Sequence, residues 1–181
     1  MKLVGLGDSI TWGYPSGPSD SWLTILGEKL GYEYINMGIN GETTEQMLRR
    51  VPQVMAEQPD IVLLLGGTND AYQGVTLQDL QRNITAIAAQ ITEGEAPVTL
   101  IVCLPPPVQE SDAEALLLGY RAWLKKFAEE NHLPLIDFYE PLRNPQTGRL
   151  EGMYDTDGCH PSRKGYEKMA EVAITACKKF L

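Results

Sequence analysis

Ile61-Val62-Leu63-Leu64-Leu65-Gly66-Gly67-Thr68-Asn69-Asp70 is the stretch whose reading decides the fold. Its first five residues are apolar without interruption. A strand with one wet face alternates apolar and polar residues, whereas a strand covered on both faces does not need to. The run therefore predicts a central strand of a parallel sheet sandwiched between helices. The run stops at two glycines, and a polar cluster follows at once. In an open parallel sheet, ligands bind beyond the carboxyl ends of the strands. Thr68, Asn69 and Asp70 are thus candidates for a site.

Working outward, four further apolar runs are visible: Leu3 to Leu6, Tyr34 to Met37, Val98 to Leu104, and Leu135 to Phe138. Helical stripes separate them. Leu77, Leu80, Ile84, Ile87 and Ile91 recur at steps of three and four, with Thr76 and Asp79 placed as a capping box. Leu117, Tyr120, Leu124 and Phe127 draw a second stripe, and Ser111 with Glu114 reads as its capping box. Tyr166, Met169, Ala173, Ala176 and Phe180 draw a third, closed by Lys178 and Lys179, which suit the negative end of a helix dipole. Trp22 to Leu30 forms the first helix, ended by Gly31, and Pro52 should break the helix begun near Thr44. Strands thus alternate with helices, and right-handed crossovers give an α/β fold: a three-layer α/β/α sandwich on a five-stranded parallel sheet. Tyr139 to His160 carries turn residues throughout and is expected to be a long loop, a kind of segment that is usually functional.

At 181 residues, one domain spanning 1–181 is expected. The net charge of −9, with Lys and Arg only in isolated pairs, argues against nucleic acid as a partner. No apolar run approaches the ~20 residues of a membrane helix. The apolar stretch at the N-terminus is too short for a signal peptide, so a cytoplasmic location is expected, or a secreted one if a leader has been removed. Cys103, Cys159 and Cys177 lack paired spacing, so neither a disulfide framework nor a metal site is expected. No cofactor is expected either. Two histidines, His132 and His160, bound the possible chemistry.

Four polar clusters should meet on one edge of the sheet. Gly7-Asp8-Ser9-Ile10-Thr11 follows the first run, and Gly38-Ile39-Asn40-Gly41-Glu42-Thr43 the second. Gly66 to Asp70 follows the third, and Asp155-Thr156-Asp157-Gly158-Cys159-His160-Pro161 lies in the long loop. A serine, glycine turns, an asparagine, an aspartate and a histidine form the inventory of nucleophilic acyl transfer. Asp157, three residues before His160, can accept from the imidazole Nδ1–H and leave Nε2 to take a serine proton. Asn69 offers two N–H donors to a developing oxyanion.

These blocks resemble those of the SGNH, or GDSL-type, hydrolases. All four occur in order over residues 7 to 160, with Ile10 where the family's name has Leu. The resemblance implies a flavodoxin-like fold and serine esterase chemistry. It implies Ser9 as nucleophile, His160 as base and Asp157 as its partner. It implies an oxyanion hole made of the Ser9 amide, the Gly41 amide and the Asn69 side chain. Gly38 lies near Gly41, but Asn40-Gly41-Glu42-Thr43 mirrors the family's Ser-Gly-Asp-Thr. The extended match through Trp12 and Gly13 is most similar to the small arylesterase and acetylesterase members.

Other residues have plainer readings. Asp8 is expected to cap a turn or helix start, and Asp70 to hold the Asn69 loop. His132 is placed at a helix end, and Cys159 as a small buried or rim residue. Asn83 matches a glycosylation sequon but sits mid-helix, and Gly5-Leu6-Gly7 begins a dinucleotide fingerprint that Ile10 ends. Trp12, Tyr14 and Pro106 are expected to wall the substrate site, which predicts a small-molecule ester with a short acyl chain. A carbohydrate O-deacetylase and a lysophospholipase or thioesterase are alternatives of the same fold. A non-catalytic flavodoxin-like module binding phosphate or flavin is the alternative of another class.

Overall fold

The structure, a computed structural model, describes residues 1–94 and 97–180, the last of them by its backbone alone. Five parallel strands form one sheet in the order β2-β1-β3-β4-β5: β1 (Lys2–Gly7), β2 (Glu33–Gly38), β3 (Ile61–Leu65), β4 (Thr99–Leu104) and β5 (Leu135–Asp137). This is the flavodoxin-like order, in which the chain reverses its direction of winding beside β1. The helices are α1 (Ser9–Trp12), α2 (Trp22–Leu30), α3 (Thr44–Arg49), α4 (Val51–Ala56), α5 (Thr68–Tyr72), α6 (Leu77–Thr92), α7 (Ser111–Glu130), α8 (Tyr139–Leu142) and α9 (Arg163–Phe180).

The unbroken apolar run of β3 serves two cores at once. Val62 and Leu64 join Met47, Leu80, Ile84, Leu117 and Tyr120 from α3, α6 and α7 on one face. Ile61, Leu63 and Leu65 join Trp22, Leu26, Tyr166 and Met169 from α2 and α9 on the other. All five β3 residues are about 1% exposed or less.

Local chemistry explains several element ends. Thr76 caps α6, its hydroxyl accepting from the Asp79 N–H and donating to the Asp79 carboxylate. Pro52 splits the segment after Thr44 into α3 and α4, with Arg50 at the joint. The cap of α7 differs from expectation. Glu110 accepts from the Ala113 N–H, and Ser111 is already inside the helix. Glu114 is instead buried, paired with Arg121 and accepting from the Val108 N–H. In α9 the Tyr166, Met169 and Ala173 positions are buried; the expected inward Phe180 side chain lies outside the described residues.

The stretch expected to lack structure from Tyr139 to His160 is organised. It holds α8, an antiparallel bridge between Arg143 and Leu150, a 3-10 turn at Gly152–Tyr154 and a second bridge between Asp155 and Pro161. Its turns are closed by side chains such as Asn144, which accepts from the Gln146 and Thr147 amides. Such side-chain-to-backbone bonds carry no helical or strand periodicity, so the pattern in the sequence is silent about them.

Candidate active site

The sheet register sets the site. Gly7 pairs with Gly38 on one side and Leu65 on the other, so β1, β2 and β3 end level and release their loops at one height. Asp8 caps α1, its Oδ1 accepting from the Ile10 N–H at 2.9 Å, which leaves Ser9 as the first helical residue. The α1 backbone lies directly on β2. A Cβ on Gly38 would stand 2.2 Å from the Trp12 nitrogen, so only glycine fits there. Gly41 has the other reason to be glycine: its φ of +83° lies in the left-handed region and its surroundings are open.

His160 arrives from the opposite end of the chain. Its Nε2 lies 3.0 Å from Ser9 Oγ, and its Nδ1 lies 2.8 Å from Asp157 Oδ2. Asp157 also shapes its own turn, because Oδ1 accepts from the Cys159 and His160 amides at 3.1 and 2.8 Å. Burial raises the Asp157 carboxyl pKa, but these backbone bonds, the imidazole bond and the imidazole charge outweigh it and leave the pKa below its ordinary value. Asp157 therefore stays ionised and accepts Nδ1–H, which leaves Nε2 to accept from the Ser9 hydroxyl.

Asn69 follows Gly67 in the first turn of α5. One N–H of its amide donates to the Glu42 carbonyl at 2.9 Å. Ser9, Tyr14, Asn40, Gly41, Asn69 and His160 line one cleft of about 250 Å³. The Tyr14 ring tilts over the imidazole with centroids 4.6 Å apart, and the Tyr166 hydroxyl donates to the Tyr14 carbonyl at 2.6 Å. The sequence placed Asn40 in the cluster beyond β2 without giving it a role; the structure puts it in the cleft lining.

Two expected wall residues stand elsewhere. Trp12 is half-buried and does not line the cleft, because α1 lies flat on β2. Pro106 is buried and does not line the cleft, its carbonyl accepting from Arg121 Nη2 at 2.9 Å. The loop it belongs to still matters. The Gln109 N–H donates to the Gly158 carbonyl at 2.7 Å and so braces the turn that carries Asp157 and His160.

The remaining polar residues have supporting positions. Asp70 accepts from the Thr44 N–H and hydroxyl at 2.9 and 2.6 Å, tying the Asn69 turn to α3. Burial raises the Asp70 pKa, opposed by those two bonds. Asp8 is fully buried, and desolvation lifts its carboxyl to about 7, helped by the charges of Asp70 and Glu42 against the Ile10 bond. Cys159 is half-buried beside Tyr72, and its thiol is pushed up to about 12 by burial, so it is no thiolate nucleophile at neutral pH. His132 turns the chain after α7 with φ +54°.

A serine hydroxyl, an imidazole and a carboxylate in hydrogen-bonded series, placed at the carboxyl end of a flavodoxin-like sheet, define a serine hydrolase site. Residues 6–168 match the family of GDSL-like lipases and acylhydrolases. The chain belongs to that family and is a carboxylic ester hydrolase. It is 30% identical to the esterase TesA of Pseudomonas aeruginosa, over all of this chain and 90% of that protein. It is also 30% identical to thioesterase 1/protease 1/lysophospholipase L1 of Escherichia coli, over 93% of this chain and 79% of the relative. Among solved structures, a G-D-S-L family lipolytic protein from Desulfitobacterium hafniense is 30% identical, with a TM-score of 0.88 over 97% of this chain and 98% of the other.

Proposed function

We propose that the protein hydrolyses short-acyl esters through a covalent acyl-Ser9 intermediate. The observation that carries this is the Ser9–His160–Asp157 series opening into the cleft shared with Gly41 and Asn69. Ser9 Oγ attacks the ester carbonyl carbon as His160 Nε2 takes its proton. The carbonyl π pair moves to oxygen. That oxyanion is met by the Ser9 N–H, an orphan donor of the first helical turn, by the Gly41 N–H, and by the Asn69 N–H not given to Glu42. His160 returns the proton to the departing alcohol as the carbonyl re-forms. Water then adds to the acyl carbon by the same route, releasing the acid and restoring Ser9. Asp157 holds the imidazole in the required tautomer and stabilises its charged form.

The acyl preference rests on size. The cleft of about 250 Å³ falls below the roughly 300–1,000 Å³ of drug-sized ligand sites, and Tyr14 closes one side of it. The free thiols Cys103, Cys159 and Cys177 suit a reducing compartment, in keeping with a cytoplasmic place of action; no described helix is long and apolar enough to cross a membrane. A fluorophosphonate probe should add a single label at Ser9, and Ser9→Ala should abolish p-nitrophenyl acetate turnover while remaining folded. Labelling at another residue, or full turnover by Ser9→Ala, would overturn the mechanism.

A further inference from the structure

Arg50 occupies the joint between α3 and α4, and its guanidinium points into the sheet edge. Its Nε donates to Glu42 Oε2 at 2.7 Å. Its Nη2 lies 2.6 Å from the same carboxylate oxygen and also reaches two strand-end carbonyls, Met37 O at 2.6 Å and Gly7 O at 3.0 Å. The side chains of Arg50 and Glu42 are 12% and 11% exposed.

Each of these partners leads to one of the donors assigned to the oxyanion. Gly7 is two residues before Ser9. Glu42 follows Gly41, and its carbonyl accepts from the Asn69 amide at 2.9 Å. Met37 is the penultimate residue of β2, which runs into the loop that carries Gly41. A single planar group thus joins the end of β1, the end of β2 and the loop against which Asn69 is oriented. A lysine ammonium lacks the forked geometry to hold a carboxylate and two carbonyls in fixed directions.

We propose that Arg50 is a positioning residue that, with Glu42, sets the relative placement of the Ser9, Gly41 and Asn69 donors for the transition state. It touches no substrate and acts through Gly7, Met37 and Glu42. The inference rests on the oxyanion role proposed above for those three donors. Cutting the clamp lets the loop carrying Gly41 and Glu42 shift, and misplacement by about 1 Å can cost on the order of 100-fold in rate. The donors act on charge that appears only in the transition state, so the loss belongs in kcat with KM nearly unchanged.

The test compares p-nitrophenyl acetate kinetics of Arg50→Met, Arg50→Lys, Glu42→Gln and Asn69→Ala, with active sites counted by end-point fluorophosphonate labelling. Arg49→Met is the control, since Arg49 pairs with Glu45 on the surface. Arg50→Met should lower kcat roughly 10- to 100-fold, and Arg50→Lys and Glu42→Gln less. Arg49→Met should match the parent. In an Asn69→Ala background the Arg50→Met effect should shrink, because one of the donors it positions is gone. Should Arg50→Met fail to fold, the coupling is read from Arg50→Lys and Glu42→Gln against Asn69→Ala. A lowered melting temperature with kcat per labelled site unchanged, or full additivity with Asn69→Ala, would overturn the inference. If Asn69→Ala itself leaves kcat intact while Ser9→Ala is dead, the oxyanion assignment fails instead, and Arg50 loses its function with it.

Discussion

Asn69 and Asp8 are the two residues whose chemistry is most exposed to experiment. Asn69 gives one N–H to Glu42 and keeps the other for the cleft. Asn69→Ala should lower kcat by about 10²–10³ with little change in KM, the usual cost of one oxyanion donor. A rise confined to KM in steady-state kinetics would make Asn69 a ground-state binder instead. Asp8 titrates at about 7 in the fold against 3.8 as its ordinary value. Between those two pH values the folded state holds a proton that the unfolded chain has released, so stability falls as pH rises through the window. Asp8→Asn has no such proton to lose. The urea midpoint should therefore drop less between about pH 4 and about pH 7 in Asp8→Asn than in the parent. An equal drop in both would show that Asp8 ionises normally. Ser9, Asp157 and His160 were legible through the four blocks that, taken together and in order, resemble those of the SGNH hydrolases. Arg50 was not, since Arg49-Arg50 reads as any surface pair and only burial separates the two.

At the scale of elements, α7 depends on an ion pair inside the protein. Glu114 and Arg121 stand seven residues apart, two turns on one face, with side chains 5% and 4% exposed. Arg121 also donates to the Pro105 and Pro106 carbonyls and lies 4.2 Å over the Tyr139 ring. Removing one partner of such a pair leaves a buried charge uncompensated, at a cost of about 3–5 kcal/mol. Arg121→Ala should therefore lower the melting temperature by roughly 6–20 °C in calorimetry, at about 2–4 °C per kcal/mol for a chain of this size. A change under about 2 °C would mean that the pair is worth little. The same pair explains the misread cap: Glu114 has the spacing of a capping box with Ser111 but is drawn inward to Arg121, and Glu110 takes the end of the helix. Spacing cannot distinguish those fates, because the partner that decides between them is two turns away.

The whole molecule sets substrate size. The site sits in an open edge between loops, and the segments nearest it are already committed to bracing one another, as Gln109 is to Gly158 and Tyr166 to Tyr14. On p-nitrophenyl esters, kcat/KM should peak at about two to four acyl carbons, since each further methylene gains its ~0.8 kcal/mol only where a groove exists to bury it. A steady rise through roughly eight carbons would reveal such a groove and move the substrate toward lysophospholipids or long-chain thioesters. The chelator EDTA should leave the rate unchanged in the same assay, since both ring nitrogens of His160 are engaged by protein groups; recovery of a lost rate on adding metal would contradict this.

The five strands, the main helices and the candidate triad follow from the chain read on its own. The strands and helices are written in local signals, apolar runs for strands buried on both faces and steps of three and four for helices; the candidate triad is carried by four blocks, among them Gly7-Asp8-Ser9 and Asp157-Gly158-Cys159-His160, whose order along the chain resembles that of the SGNH hydrolases. Only the tertiary structure decided the rest. That Trp12 and Pro106 do not line the cleft, that Asn40 does, and that Arg50 and Arg121 are buried against main-chain carbonyls 13 to 43 residues away are outcomes of contacts between separate segments. Those contacts are fixed by sheet register and by the need to pair every buried polar group, and neither leaves a periodic mark in the sequence.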